Sequence, residues 1–333
     1  LVSMPFVHSV SSLLLLIVTL SVLSVVNVWA ESPSSIPIAK SKVVAKIAFG
    51  EGELEIPRPG PESVGEGIPT AFLATADGRK HVLIPHERSI IIVSSQGQAE
   101  RKIYLTQQGG KLLRKDTFLY DMVIDEQGNY VVLEKVGGTV MRFDPKGNVT
   151  SAFGAFVAAD AIEKLSSGGF AVRDPGCSAV NLFDDGGRFL GYVKDDNLSA
   201  LSNTKGAFAR VVLLFNKRAL VWLRPQKGAF PRLFAGLETR EKGAKLYEAT
   251  PVGFLADGDL LLMTTEQSTK GYCSYLIRLS AGGKVKGQIR LPATMEFASS
   301  IPRFWRLTPD NKVLGFRTDE KAFRLVAYDL PGQ

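Results

Sequence analysis

Histidine and cysteine are scarce in this chain of 333 residues, which has three of the first and two of the second. Cys177 and Cys273 belong to no C-x-x-C motif. His81 and His86 lie five apart on one strand and its end, on opposite sides, so a two-histidine metal site is not expected. No Gly-x-Ser-x-Gly elbow is present, which removes the common hydrolase nucleophile. Walker loops and the Gly-x-Gly-x-x-Gly dinucleotide fingerprint are absent too. Positive charge is missing from the opening "LVSMPFVHS". Long apolar runs are absent but for one, Leu13 to Val28, which is shorter than the roughly 20 residues that span a bilayer. "VWA" ends at Ala30 ahead of Glu31, in the manner of a signal-peptidase site. The expectation is a signal peptide over 1–30, a flexible leader over 31–41 and one domain over 42–333. Export to the periplasm or the extracellular space follows, by a bacterial route, with no stable membrane span once the leader is cleaved; a retained anchor is the alternative. No Cys follows the apolar run, so a bacterial lipid anchor is not indicated.

The formal net charge is +7 and the isoelectric point is near 9.3. Lys and Arg are spread along the chain, with the tightest cluster at Lys111, Arg114 and Lys115. A nucleic-acid footprint needs basic residues gathered on one face, so no nucleic-acid partner is expected.

Glycine, by contrast, is plentiful at 32, beside 17 prolines, as in turn-rich all-β chains. The stretch "DEQGNYVVLEKVGGTVMRFDPKGN", Asp125 to Asn148, turns back three times. The same unit recurs over Thr70–Leu105, Leu119–Gly154 and Ala159–Lys194 as strand, Gly turn, strand, break, strand, Gly turn, strand. Its two turns are 19 residues apart each time, at Gly78 and Gly97, Gly128 and Gly147, and Gly168 and Gly187. Such turns need positive φ, hence glycine. Three looser copies occupy Leu201–Gly236, Thr250–Pro292 and Phe304–Gln333. Six four-strand units of about 44 residues predict a six-bladed β-propeller. The last unit stops after three strands, while "KVVAKIAFG", Lys42 to Gly50, stands alone ahead of the first. The N-terminal strand is therefore expected to complete the last blade and remove the open sheet edges. Cys177 and Cys273 then fall in blades three and five, too far apart for a disulfide, and free thiols are expected.

In the second unit, Asp125, Gly128, Tyr130, Val131, Val132, Arg142, Phe143, Asp144 and Gly147 resemble the NHL repeat. "TADGRKHVLI" and "TPDNKVLGFR" are similar to TolB-like propeller repeats. The resemblance implies a binding platform, or less often an enzyme such as a lactonase-like hydrolase or a peptide-amidating lyase. Lactonase-like propellers hold a divalent cation at the central tunnel with acidic and amide oxygens. Here carboxylates sit near the start of each inner strand: Glu66, Asp121, Asp160, Asp196, Glu248 and Glu296. Asp121 and Asp160 are the candidate ligands for Ca²⁺ or Mg²⁺, which take hard oxygens. Glu66 and Glu248, with Arg303, Arg306 and Trp305, complete a candidate tunnel-mouth site, where the arginines would meet an anion. Trp222, Tyr272 and Phe304 are further candidates for a ligand surface. The leading expectation is an exported, monomeric, non-catalytic propeller that binds a protein, peptide or glycan without a cofactor. The alternative is a metal-dependent hydrolase or lyase of the lactonase kind.

Overall fold

The computed structural model describes residues 36–58, 69–107, 109–111, 113–114, 116–194, 198–200, 207–225, 230–241, 243–292 and 305–332. The first strand, β1 (Ser41–Ala48), is followed by five four-strand groups. Blade 1 is β2 (Ala71–Ala74), β3 (Lys80–Ile84), β4 (Ser89–Val93) and β5 (Ala99–Tyr104). Blade 2 is β6 (Leu119–Ile124), β7 (Tyr130–Glu134), β8 (Thr139–Phe143) and β9 (Val149–Phe153). Blade 3 is β10 (Ala161–Lys164), β11 (Phe170–Asp174), β12 (Ala179–Phe183) and β13 (Phe189–Lys194). Blade 4 is β14 (Leu198–Ala200), β15 (Ala207–Leu214), β16 (Arg218–Pro225) and β17 (Arg232–Glu238). Blade 5 is β18 (Lys245–Phe254), β19 (Leu260–Ser268), β20 (Gly271–Leu279) and β21 (Val285–Arg290). The chain ends with β22 (Arg306–Leu307), β23 (Val313–Thr318) and β24 (Ala322–Tyr328).

Every sheet is an antiparallel meander, and the sixth has the order β1-β24-β23-β22. The N-terminal strand closes the ring as expected, with Ser41 opposite Tyr328 and Ala48 opposite Ala322. The six turn glycines named above all have φ between +81° and +94°. The stretch just before β1, read as flexible leader, packs against blade 5 instead. Ile36 and Ala39 are buried, the Ala39 N–H donates to the Arg290 carbonyl at 2.7 Å, and the Arg290 N–H donates to the Pro37 carbonyl at 2.8 Å. Residues 1–35, which include the proposed signal peptide, lie outside the described residues.

The period of two along each strand sends alternate side chains into the two seams beside a blade. In β19, Leu260 and Leu262 face blade 4, while Leu261 and Met263 face blade 6. The core is accordingly six apolar wedges, one in each seam. Fully buried aromatics such as Phe72, Phe143 and Phe170 anchor these wedges, each worth about 1.5–3 kcal/mol of burial.

Candidate functional site

The turns between second and third strands and the crossovers between blades share one face of the ring, and the inner strands begin there. Asp121, the third residue of β6, is completely buried at this point. Its carboxylate accepts from its neighbour Met122 N–H at 2.9 Å and from Ile162 N–H of blade 3 at 2.9 Å. The guanidinium of Arg306, from β22 of blade 6, reaches past blade 1 to donate to the same carboxylate. One ion pair thus ties blades 6, 2 and 3 together across the central channel. Asp160, at the start of blade 3, takes a two-pronged contact from Arg173, with Nε at 2.6 Å and a terminal nitrogen at 3.0 Å. Tyr120 lies beside both carboxylates. Burial, then the charges of Asp160 and Asp121, raise its pKa, and Lys135 Nζ stands 4.0 Å over its ring.

Ca²⁺ needs about six to eight oxygen ligands, and Mg²⁺ about six, with one or two carboxylates and several waters. Asp121 and Asp160 each face a guanidinium, and Asp121 also accepts two backbone N–H groups, so as placed they do not fit such a cage. Among the described residues no three of His, Cys, Asp and Glu gather as a metal site would require. Glu248, on β18, is half-buried and accepts from the Thr250 hydroxyl at 3.0 Å. Trp305, expected at the mouth, is instead core: it is buried in the seam between blades 5 and 6, edge-on to Tyr328 at 5.5 Å. Its apolar bulk wins over its place beside an inner strand. Glu66, Asp196, Glu296, Arg303 and Phe304 lie outside the described residues. Cys177 and Cys273 are free thiols. His81 is buried between blades 1 and 2 on Tyr130, and His86 is exposed in a turn.

Acids of a different kind organise the loop face. Glu134, at the end of β7, accepts from the Phe118, Val136 and Gly137 N–H groups. Asp174, at the end of β11, accepts from Val157, Ala158 and Gly176. Glu266, near the end of β19, accepts from Arg240 and Glu241 N–H groups and pairs with the Arg240 guanidinium at 3.0 Å. In each case a buried carboxylate satisfies backbone donors of the incoming crossover, which would otherwise carry a desolvation cost. The signal was present in the sequence as an acid closing the second strand of units two, three and five.

Large exposed side chains on this face include Val136 and Val157 over blades 2 and 3, and Phe215, Tyr247 and Tyr272 over blades 4 and 5. The last two form a T-shaped pair with ring centroids 5.4 Å apart.

The chain matches no family model and no curated protein. Among solved structures it is similar to virginiamycin B lyase from Staphylococcus aureus, with a TM-score of 0.51 and 10% identity over 86% of this chain and 99% of that one. A catalytically inactive form of that lyase, with quinupristin, gives 0.52 and 11%, over 86% and 99%. A DUF4221 family member from Bacteroides vulgatus gives 0.50 and 10%, over 89% and 99%. Identities this low establish the six-bladed propeller and nothing finer.

Proposed function

We propose that this chain is an exported, non-catalytic propeller that binds a protein, peptide or glycan on its loop face. The observation that carries the reading is the Asp121–Arg306 pair across the channel. With Asp160–Arg173 beside it, two of the described acids at the mouth already face guanidinium groups, which supports a role in holding the ring together. Exposed aromatic side chains on the same face support recognition, since they offer large contact area at low entropic cost.

The test has two arms. The EDTA-treated chain is titrated calorimetrically with Ca²⁺ and with Mg²⁺, and its melting temperature is followed. The labelled chain is then applied to peptide and glycan arrays. The expected result is saturable binding on an array and no saturable heat with either ion. Ion binding that raises the melting temperature and disappears in Asp160→Asn would overturn the reading and favour a metal-dependent hydrolase or lyase.

A further inference from the structure

We infer that the loop face over the seam between blades 4 and 5 binds an anionic polysaccharide; the inference rests on the binding-platform reading and names its ligand class. Two turns meet at this place. The turn of blade 4 carries Phe215 and Lys217, and its Asn216 carbonyl accepts from the Leu246 N–H of blade 5 at 2.7 Å. That single bond sets Phe215 beside the start of β18, where Lys245 and Tyr247 project. The hairpin between β19 and β20 adds Lys270 and Tyr272. Blade 5 strands of nine and ten residues carry these groups outward, against five or six residues in the inner three strands of blade 2.

The aromatic side chains are presented, not packed away. Phe215 is 93% exposed, Tyr247 63% and Tyr272 49%. Phe215 also holds φ of 51°, a left-handed conformation that a bulky side chain seldom adopts. Asn216 follows at 53°, and the Lys217 N–H donates to the Leu214 carbonyl at 3.0 Å, so the two residues form the tight hairpin turn that lifts the ring off blade 4.

The fully exposed charges beside the rings are mostly positive. Lys217, Lys245 and Lys270 are exposed, and no ion pair joins any of them to a described acid. Among the described acids on the same segments, Glu238 is engaged by Arg218 and Glu266 by Arg240, while Glu241 and Glu248 are half-buried. A partner with negative charges is the complement. The site offers ring faces and ammonium groups rather than a strand edge, because β19 beneath it is paired on both sides, to β18 and to β20. The C–H bonds of a sugar ring suit the negative face of an aromatic ring, and carboxylate or sulfate groups along the same chain suit compact ammonium charges.

The experiment measures binding of the full chain to polygalacturonate, with dextran, poly-glutamate and oligo(dT) as comparators. Two multiple variants are tested beside it, Tyr247→Ala/Tyr272→Ala and Lys217→Gln/Lys245→Gln/Lys270→Gln. Polygalacturonate should bind and dextran should not. Each variant should weaken binding at least about tenfold while keeping the parental melting curve, and added salt should weaken it further. Polygalacturonate affinity unchanged in both variants overturns the inference. So does preferential binding of poly-glutamate, which makes the partner an acidic peptide, or of oligo(dT), which makes it nucleic acid. Array binding that persists in both variants leaves the platform reading standing and removes only this site.

Discussion

Blades 2 and 3 and blades 4 and 5 handle their polar side chains differently. In the first half the repeat is regular, and its acids turn inward. Asp121 ties three blades, Asp160 holds Arg173, and Glu134 and Asp174 secure the crossovers. In the second half the repeat is loose and the strands are long. Glu266 still holds its crossover, yet three lysines and three aromatic residues face solvent there, with no ion pair from those lysines to a described acid. Regular repeats carry internal ties, while the irregular ones are free to vary, and exposed loops are where recognition is commonly built. The clearest copies of a repeat therefore need not be the place to look for a ligand.

The comparison can be broken most forcefully at the channel. Asp121→Ala removes the buried carboxylate that the Arg306 guanidinium and the Ile162 N–H share, and should cost about 3–5 kcal/mol in a urea titration. Array binding by the surviving folded fraction should be unchanged. A loss below about 1 kcal/mol, the range of an exposed pair, would mean that the tie is ornamental.

A second division runs within blade 2 itself. Gly128 and Gly147 have φ of 82° and 94° and look alike in sequence. A Cβ on Gly128 would meet only Pro145 at 4.0 Å, whereas on Gly147 it would fall on the Tyr104 carbonyl of blade 1. Gly128→Ala should cost about 1–2 kcal/mol, the left-handed penalty alone, and Gly147→Ala about 2–5 kcal/mol with overpacking added. Equal losses would remove the distinction between the two turns.

The seam between blades 1 and 2 supplies a pH test. His81 is buried, its Nδ1 lies 3.1 Å from the Tyr130 hydroxyl, and Nε2 has no partner. Burial, helped by nearby Arg79, lowers its pKa to about 4. The unfolded chain, with a histidine pKa of about 6.5, binds the proton first, so stability is full above that pH and falls as pH drops toward 4. The loss should approach about 3 kcal/mol over that window, and His81→Phe should flatten this part of the profile. An unchanged profile in the variant would assign the acid sensitivity elsewhere.

The smallest effect belongs to the surface. Arg218 and Glu238 form an ion pair with both side chains about half exposed. Arg218→Gln should shift stability by less than about 1 kcal/mol. A larger loss would place blade 4 among the internally tied blades after all.

Much of the architecture was legible because its causes are local. The alternation of "YVVLE" and "TVMRF", glycine where φ must be positive, and a lone strand ahead of the first unit with a last unit one strand short suffice for six blades and their closure. Asp125 and Asp144 show the same locality: each accepts from N–H groups two and four residues on, which explains the D-x-x-G-N pattern at atomic level. The site was not legible in this way. Asp121 and Arg306 are 185 positions apart, and although strand order puts both near the tunnel mouth, nothing local to either says that they pair with each other. Trp305 reads as a rim aromatic until the blade 5–6 seam closes over it. Spacing and turn chemistry determined the repeat, since they act over a few residues. Which acids stay free, which glycine meets a neighbouring backbone and which rings remain exposed were decided only when the ring closed, because those outcomes depend on groups that the chain brings together from opposite sides of the propeller.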